Sequence, residues 1–398
     1  MKKILGTIIS GSLVEGFIMR ISPDANLEDI KTGTGKTFLT RLVLAGLIKQ
    51  EKAVNLIFDM HSEYGLQARQ ESDAKFVKGL KSLFPSQIAI FSLDPVATMR
   101  RGAQPDVVVQ ISYEDIRIPD ILSLQAELNL HSTAMEAAYL IENKYKKEWL
   151  QALLEQGHDA KAFAEQIGAH PESIAALYRK LKTIERFPFF VKKVARSESV
   201  IDRLLEYLQK DVHVVIEFGN YTSTFCYLLI ANVLTRRIHH EYVEKTEKYL
   251  GTQKAQDEPK QLMIVIEEAH KFLNPIAATQ TIFGTIAREM RKYYVTLFVI
   301  DQRPSGIDTE VISQIGTKIV AQLSDEKDLQ AVLMGMPNGT TLRAVLGSLD
   351  TKKQALLLGH AITMPMVVQT RTYDDTFYAD MQDGLLARPV EHMIQELF

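Results

Sequence analysis

The segment Lys31-Thr-Gly-Thr-Gly-Lys-Thr37 constrains this chain more than any other stretch, because it runs straight into the amphipathic Phe38 to Leu47. Glycines at 33 and 35 let backbone N–H groups turn inward around a phosphate. Lys36 can then reach the outer phosphates, the Thr37 hydroxyl suits a magnesium ion, and the next helix aims its positive end at the same anion. Thr32, Gly33, Thr34, Gly35, Lys36, Thr37 and Phe38 are therefore the candidate phosphate-binding residues. Two features depart from the full pattern. Ile30 stands where a leading glycine is expected, and Ser22-Pro-Asp-Ala-Asn-Leu-Glu-Asp29, which should hold a strand, is polar and turn-like. Taken alone, Gly-x-Gly-Lys-Thr also fits an ordinary turn before a helix, so the downstream partners have to decide.

A chain of 398 residues with 46% hydrophobic content can bury the core of one large α/β domain with insertions, or of two smaller domains. The net charge of -3 means that any affinity for nucleic acid has to come from local basic patches. The single cysteine, Cys226, sits in the apolar run Phe225 to Ile230 and reads as a small buried hydrophobe in a reducing compartment, with no disulfide framework. The run Ile4 to Ile9 after Met1-Lys-Lys is too short for a secretion signal, and Ser10 and Glu15 interrupt the residues beyond it. No stretch approaches the ~20 apolar residues of a membrane span, so the expectation is a soluble, cytoplasmic protein.

Along the chain, residues 1–30 hold short strand-like pieces. They are read as a fragment of a small β-domain, with Leu13 to Ile21 recruited as the strand before the phosphate loop as the alternative. Residues 31–118 alternate helix and strand. Val54 to Asp59 is an apolar run closing on an acid, and the polar Met60-His-Ser-Glu-Tyr64 behind it lies where ligands of open α/β sheets collect. His61 with Asp59 and Glu63 reads as a polar loop lining that site rather than as a metal centre, since one strand end seldom completes a coordination shell. Further strands are expected at Gln87 to Phe91 and Asp106 to Ile111.

Residues 119–210 change to helical spacing and form an inserted helical block. Thr133-Ala-Met-Glu136 predicts a capping box opening a helix that runs towards Leu154, and Ala169-His-Pro-Glu172 predicts a second helix start. The basic run Arg179, Lys180, Lys182, Arg186, Lys192, Lys193 and Arg196 is either a phosphate-contacting surface or a solvated face. The sheet pattern resumes in residues 211–398. Val212 to Phe218 predicts a strand, Phe225 to Tyr242 a helix, and Glu244 to Lys260 an exposed connection.

Gln261 to Ile266 is a buried strand by its apolar run and ends in Glu267-Glu268. An acid at such a tip orients magnesium through its water shell, and its neighbour polarises the water that attacks the γ-phosphate. Glu267 takes the first role and Glu268 the second. Arg288 and Arg291, three apart on one helix face, are candidates for an arginine that reaches across a subunit boundary, with an exposed helix face as the plain alternative. Gln302 follows the next strand, Val295 to Ile300, and reads as a sensor of the γ-phosphate.

Five motifs in this order resemble the HerA-type ATPases of the HerA/FtsK superfamily: Asp59-Met-His-Ser-Glu-Tyr64, Ile266-Glu-Glu-Ala-His270, Ala287-Arg-Glu-Met-Arg-Lys-Tyr293, Asp301-Gln-Arg-Pro304 and Thr317-Lys-Ile-Val-Ala-Gln-Leu-Ser324. The resemblance covers roughly Lys31 to Tyr378, with Gln354 to Gly359 and Met366 to Arg371 as closing strands. It implies a RecA-like P-loop NTPase core with a mainly parallel sheet flanked by helices, ATP with Mg²⁺, a homo-hexameric ring threading duplex DNA, and a NurA-type nuclease partner in end resection and repair. Family members carry a complete small β-barrel before the core. Here Gly11 to Gly33 looks like the start of such a barrel joined directly to the loop, which predicts an internal deletion. The alternatives to a working DNA translocase are a remnant unable to hydrolyse ATP and a conjugation- or secretion-type pump on the same core.

Overall fold

The computed structural model describes residues 17–20, 34–51, 53–69, 76–195, 199–336, 339–350, 354–359, 362 and 364–382. Its frame is a ten-stranded sheet. The strands are β1 (Phe17–Arg20), β2 (Val54–Asp59), β3 (Ile88–Ser92), β4 (Val107–Val108), β5 (His213–Glu217), β6 (Leu262–Glu267), β7 (Val295–Ile300), β8 (Thr317–Val320), β9 (Gln354–Gly359) and β10 (Met366–Gln369). In space they run β10-β9-β8-β1-β7-β6-β2-β5-β3-β4. Every pairing from β8 to β4 is parallel, and β9 and β10 close one side antiparallel. The strands β2, β3, β5, β6 and β7 are buried along their whole length, which is why they appear as apolar runs without alternation.

Alternate residues of these strands feed two different cores. Leu56, Phe58, Val214, Ile216, Ile264 and Ile266 face one side, together with the helical block. Ile57, Val215, Met263, Val265, Phe298 and Ile300 face the other and meet α1 (Thr34–Gln50). Helix α1 is buried from Leu39 to Leu47 on every side, because the sheet lies beneath it and Tyr373, Phe377 and Tyr378 cover it.

The short strand β1 corrects one expectation. Phe17–Arg20 is not part of a separate β-fragment. It pairs in parallel with β7 on one side and β8 on the other, in the register Phe17↔Phe298 and Phe17↔Thr317. It is the core strand that precedes α1, and the alternative reading of Leu13 to Ile21 holds for these four residues. The remainder of the predicted barrel remnant, and the proposed deletion junction, lie outside the described residues.

The helical block departs from the sequence reading at one joint. Two helices stand where one was expected, α2 (Ser132–Tyr145) and α3 (Trp149–Gln156). They are separated at Lys146, whose φ of 55° is left-handed. The break turns Trp149 inward, where it is fully buried and its Nε1 donates to the Ile116 carbonyl at 2.8 Å. His131, not Thr133, caps α2. Helices α4 (Ala160–Ile167) and α5 (Pro171–Leu181) follow, the latter with the expected proline in its first turn.

After α6 (Val200–Gln209) comes α7 (Thr224–Thr252), which runs on through residues assigned to an exposed connection because Tyr242 and Thr246 remain buried. Helix α8 (Ile282–Glu289) leads into β7, and α9 (Asp375–Gln382) covers α1. Among the described residues no helix is long and apolar enough to cross a membrane.

Candidate functional site

Parallel strands present their carboxyl ends along one edge, and here that edge is acidic. Glu217 ends β5, Asp59 ends β2, Glu267 ends β6, and Asp301 follows β7; Asp59 is in register with Glu217, and Glu267 with Ile300. Helix α1 has its first turns at this edge, since Arg41 in its second turn reaches the Glu63 carbonyl in the loop behind β2. Thr32 and Gly33 lie outside the described residues. Thr34 to Thr37 enter as the first turn of α1 by their backbone alone, and Phe38 packs edge-on against Tyr373 at 6.1 Å.

Glu267 is 1% exposed and is held by two tyrosines. The Tyr64 hydroxyl donates to Glu267 Oε1. The Tyr227 hydroxyl accepts from the Glu267 N–H and donates to its carbonyl, both at 3.1 Å. Burial, reinforced by the Glu267 charge, pushes the Tyr64 hydroxyl well above the usual phenol range, so it remains a donor. Tyr64 itself is placed by the loop behind β2. Asp59 Oδ1 accepts from Glu63 N at 2.7 Å, while Oδ2 accepts from Tyr64 N at 2.9 Å and Gly65 N at 3.0 Å. With both oxygens used on backbone amides and His61 exposed, Asp59 serves to shape this loop. Among the described residues no group of three or more His, Cys, Asp or Glu side chains could hold a metal ion.

Glu268 differs from its neighbour in both backbone and environment. Its φ of 50° is left-handed, a conformation that costs a non-glycine residue about 1–2 kcal/mol. The turn brings its side chain, 19% exposed, to 3.8 Å from His270 Nδ1. His270 is in turn fixed by Asp301, whose Oδ2 lies 2.6 Å from the His270 N–H and 2.9 Å from Nδ1. The Asp301 hydrogen bond is the main reason the His270 pKa is raised. The Asp301 carboxyl is lowered: burial opposes this, and the bonds and charge of His270 outweigh it. The imidazole contribution to stability is complete below its ordinary pKa and fades as pH rises through the raised one; that of Asp301 fades only in acid.

Gln302 follows β7 and is exposed. Arg288, at the end of α8, donates to the Ala278 carbonyl at 3.1 Å and pairs with Glu310 at 3.4 Å, so a role towards a neighbouring subunit requires it to leave both. Arg291 lies in the turn Met290–Tyr293 as backbone only. A cleft of about 440 Å³ opens beyond His270, where Ser123 and Glu127 of the helical block approach Lys271 and Arg303. In the basic run, Lys192 pairs with Glu155 at 2.7 Å and Lys193 with Glu114 at 3.7 Å; Arg179, Lys180, Lys182 and Arg186 are exposed, and Arg196 lies outside the described residues.

Sequence reasoning gave no role to Tyr64, Tyr227, Asp301 or Glu217, because a buried polar contact between distant segments leaves no local pattern. Glu217 carries an electrostatic strain of its own. Its Oε2 accepts from Thr98 at 3.1 Å, while Oε1 has no hydrogen-bond partner among the described residues. Burial, then the charge of Asp59, pushes its carboxyl from 4.5 up to about 7. Its stabilising contribution is complete below about 4.5 and disappears as pH rises through about 7. Glu217→Gln should therefore flatten the fall in thermal stability between pH 5 and 8 and exceed the unmodified chain at pH 8, by about 3 kcal/mol at most. Parallel pH profiles for the two proteins would refute this.

A family model described as the central domain of helicase HerA matches residues 31–238. The DNA double-strand break repair helicase HerA of Sulfurisphaera tokodaii is 34% identical over 138 residues, 34% of this chain and 26% of that protein. The protein of the same name from Pyrococcus furiosus is 22% identical over 370 residues, 86% of this chain and 64% of that protein. The chain thus spans less than two thirds of either relative. Among solved structures, VirB4 of Thermoanaerobacter pseudethanolicus superposes with a TM-score of 0.55 at 13% identity, covering 90% of this chain and 89% of that one. The plasmid coupling protein TrwB, in complex with a non-hydrolysable GTP analogue, gives 0.55 at 12% identity, covering 90% and 85%. These two likenesses concern the fold.

Proposed function

The chain belongs to the family of the helicase HerA central domain, and from that premise we propose that it is an ATP hydrolase that moves duplex DNA. The observation that carries the reading is the strand order β8-β1-β7-β6-β2: the strand feeding the phosphate-loop helix and the acid-tipped strand flank the strand that leads to Gln302. That arrangement puts the segments that follow β2, β6 and β7 at one edge of the sheet, whereas Ala287 to Tyr293 leads into the amino end of β7.

In this reading the backbone of residues 33–37 and Lys36 grip the triphosphate. The donors available for a divalent ion are hard oxygens, the Glu267 carboxylate and the Thr37 hydroxyl, which is the chemistry Mg²⁺ prefers. Bound there, Mg²⁺ would neutralise charge on the phosphates. Glu268, beside His270, accepts the proton of the attacking water, and Gln302 responds to the γ-phosphate. Arg288 or Arg291 acts across a subunit boundary in a homo-hexameric ring. Work with a NurA-type nuclease in DNA end resection completes the proposal.

Two supports for a hydrolysis-deficient remnant were Ile30 and a missing core strand. Strand β1 supplies the second, so that reading now rests on Ile30 alone. The test is ATP turnover by the full chain with and without linear duplex DNA. DNA-stimulated turnover that Lys36→Ala lowers at least about 100-fold is the expected result, since the lysine supplies charge to the transferring phosphoryl group. No turnover above the Lys36→Ala background would favour the remnant.

A further inference from the structure

We propose that Tyr64 is a positioning residue for the strand-tip acid Glu267, and that Arg41 on the phosphate-loop helix holds Tyr64 in place. The proposal rests on the nucleotide reading above and deepens it. The sheet alone does not connect the two halves of that site: the hydrogen-bonded neighbours of β6 are β2 and β7, and α1 packs across one face. The side chains make the connection instead.

Arg41 lies two turns into α1 and is 6% exposed. Its guanidinium spends Nε, at 2.7 Å, and Nη2 on one acceptor, the main-chain carbonyl of Glu63. Burying a guanidinium is costly when a carbonyl is its acceptor, and an aliphatic side chain would fill the same space more cheaply. What the guanidinium adds is a fixed position for the loop. The Asp59 carboxylate fixes the same loop from the strand side through three backbone N–H groups. Between these two anchors the next residue, Tyr64, is fully buried and directs its hydroxyl onto Glu267 Oε1. Tyr227 pins the Glu267 backbone, so the Tyr64 bond sets the direction of the carboxylate.

Tyr64→Phe removes only the hydroxyl. Its test is equilibrium binding of a non-hydrolysed ATP analogue to the full chain, with and without Mg²⁺, beside a Mg²⁺ titration of ATP turnover and a thermal melt. Groups that orient a metal-binding carboxylate typically contribute 10–100-fold to affinity, so the half-saturating Mg²⁺ concentration should rise about tenfold while Mg²⁺-free binding stays within about twofold. Arg41→Met should shift the Mg²⁺ requirement the same way by a smaller factor, and it carries the comparison if Tyr64→Phe does not fold. An unmoved Mg²⁺ requirement in a folded variant overturns the proposal alone, as does an equal loss of binding with and without Mg²⁺. Absence of nucleotide binding by the unmodified chain overturns the nucleotide reading and this proposal with it.

Discussion

Glu268→Gln should keep nucleotide binding and lower ATP turnover at least about 100-fold, the usual contribution of a positioned general base. Glutamine preserves the size of the side chain and its reach, and removes the negative charge together with the ability to take a proton. The structure gives this residue what such a task requires. It is partly open to solvent, it stands on a left-handed backbone that turns it away from buried Glu267, and it lies beside an imidazole that Asp301 orients. Binding of an ATP analogue and the melting temperature should match the unmodified chain, which separates loss of chemistry from loss of fold. Turnover within about threefold of the unmodified chain would remove Glu268 from the mechanism, because no general-base role is that small. Gln302→Ala in parallel would show whether the next strand tip contributes separately.

Arg236→Ala should destabilise the chain by about 3–5 kcal/mol, the range for removing one partner of a buried ion pair. Asp120 is 2% exposed and begins the helical block. It receives Arg236 Nε on Oδ1 and Nη2 on Oδ2, both at 2.8 Å, and the Arg117 N–H at 2.8 Å. Burial pushes its carboxyl above the ordinary value even with Arg236 in place, so the charge is held against a desolvation cost. Arg236 Nη2 also donates to the Asp115 carbonyl at 2.7 Å, and this one guanidinium therefore ties both the start of the block and the turn before it to α7. Denaturant unfolding of the full chain measures the loss. The double variant Arg236→Met with Asp120→Leu should recover part of it, because an apolar pair leaves no buried charge unpaired. A loss below about 1 kcal/mol would mean that the pair behaves as a surface contact.

The parts of the fold legible in sequence were those whose signal is local. The strands Val54–Asp59, Leu262–Glu267 and Val295–Ile300 are buried on both faces, and each appears as an apolar run that ends in an acid or is followed directly by one, at the carboxyl edge of the sheet. Strand β1 was not legible in this way. Four residues carry little pattern, and their place in the core is decided by β7 and β8, far along the chain. The break at Lys146 was hidden for a similar reason: no glycine or proline marks it, and the burial of Trp149 imposes the turn. In the site, the twin acids could be read from their position behind an apolar run. Tyr64 and Tyr227 could not, since an aromatic residue behind a strand or within an apolar helix is ordinarily core, and only the folded chain brings their hydroxyls to Glu267.

The place of β1 also bears on how the molecule is made. These residues precede both of their sheet partners by a long stretch of chain, and the slot they fill, bounded by Phe298 and Thr317, cannot exist until those later strands have been synthesised. Contacts so distant in sequence form late and slow the search for the native state. Until then the growing polypeptide carries an unfilled sheet with two bare edges, the kind of intermediate that recruits chaperones or aggregates.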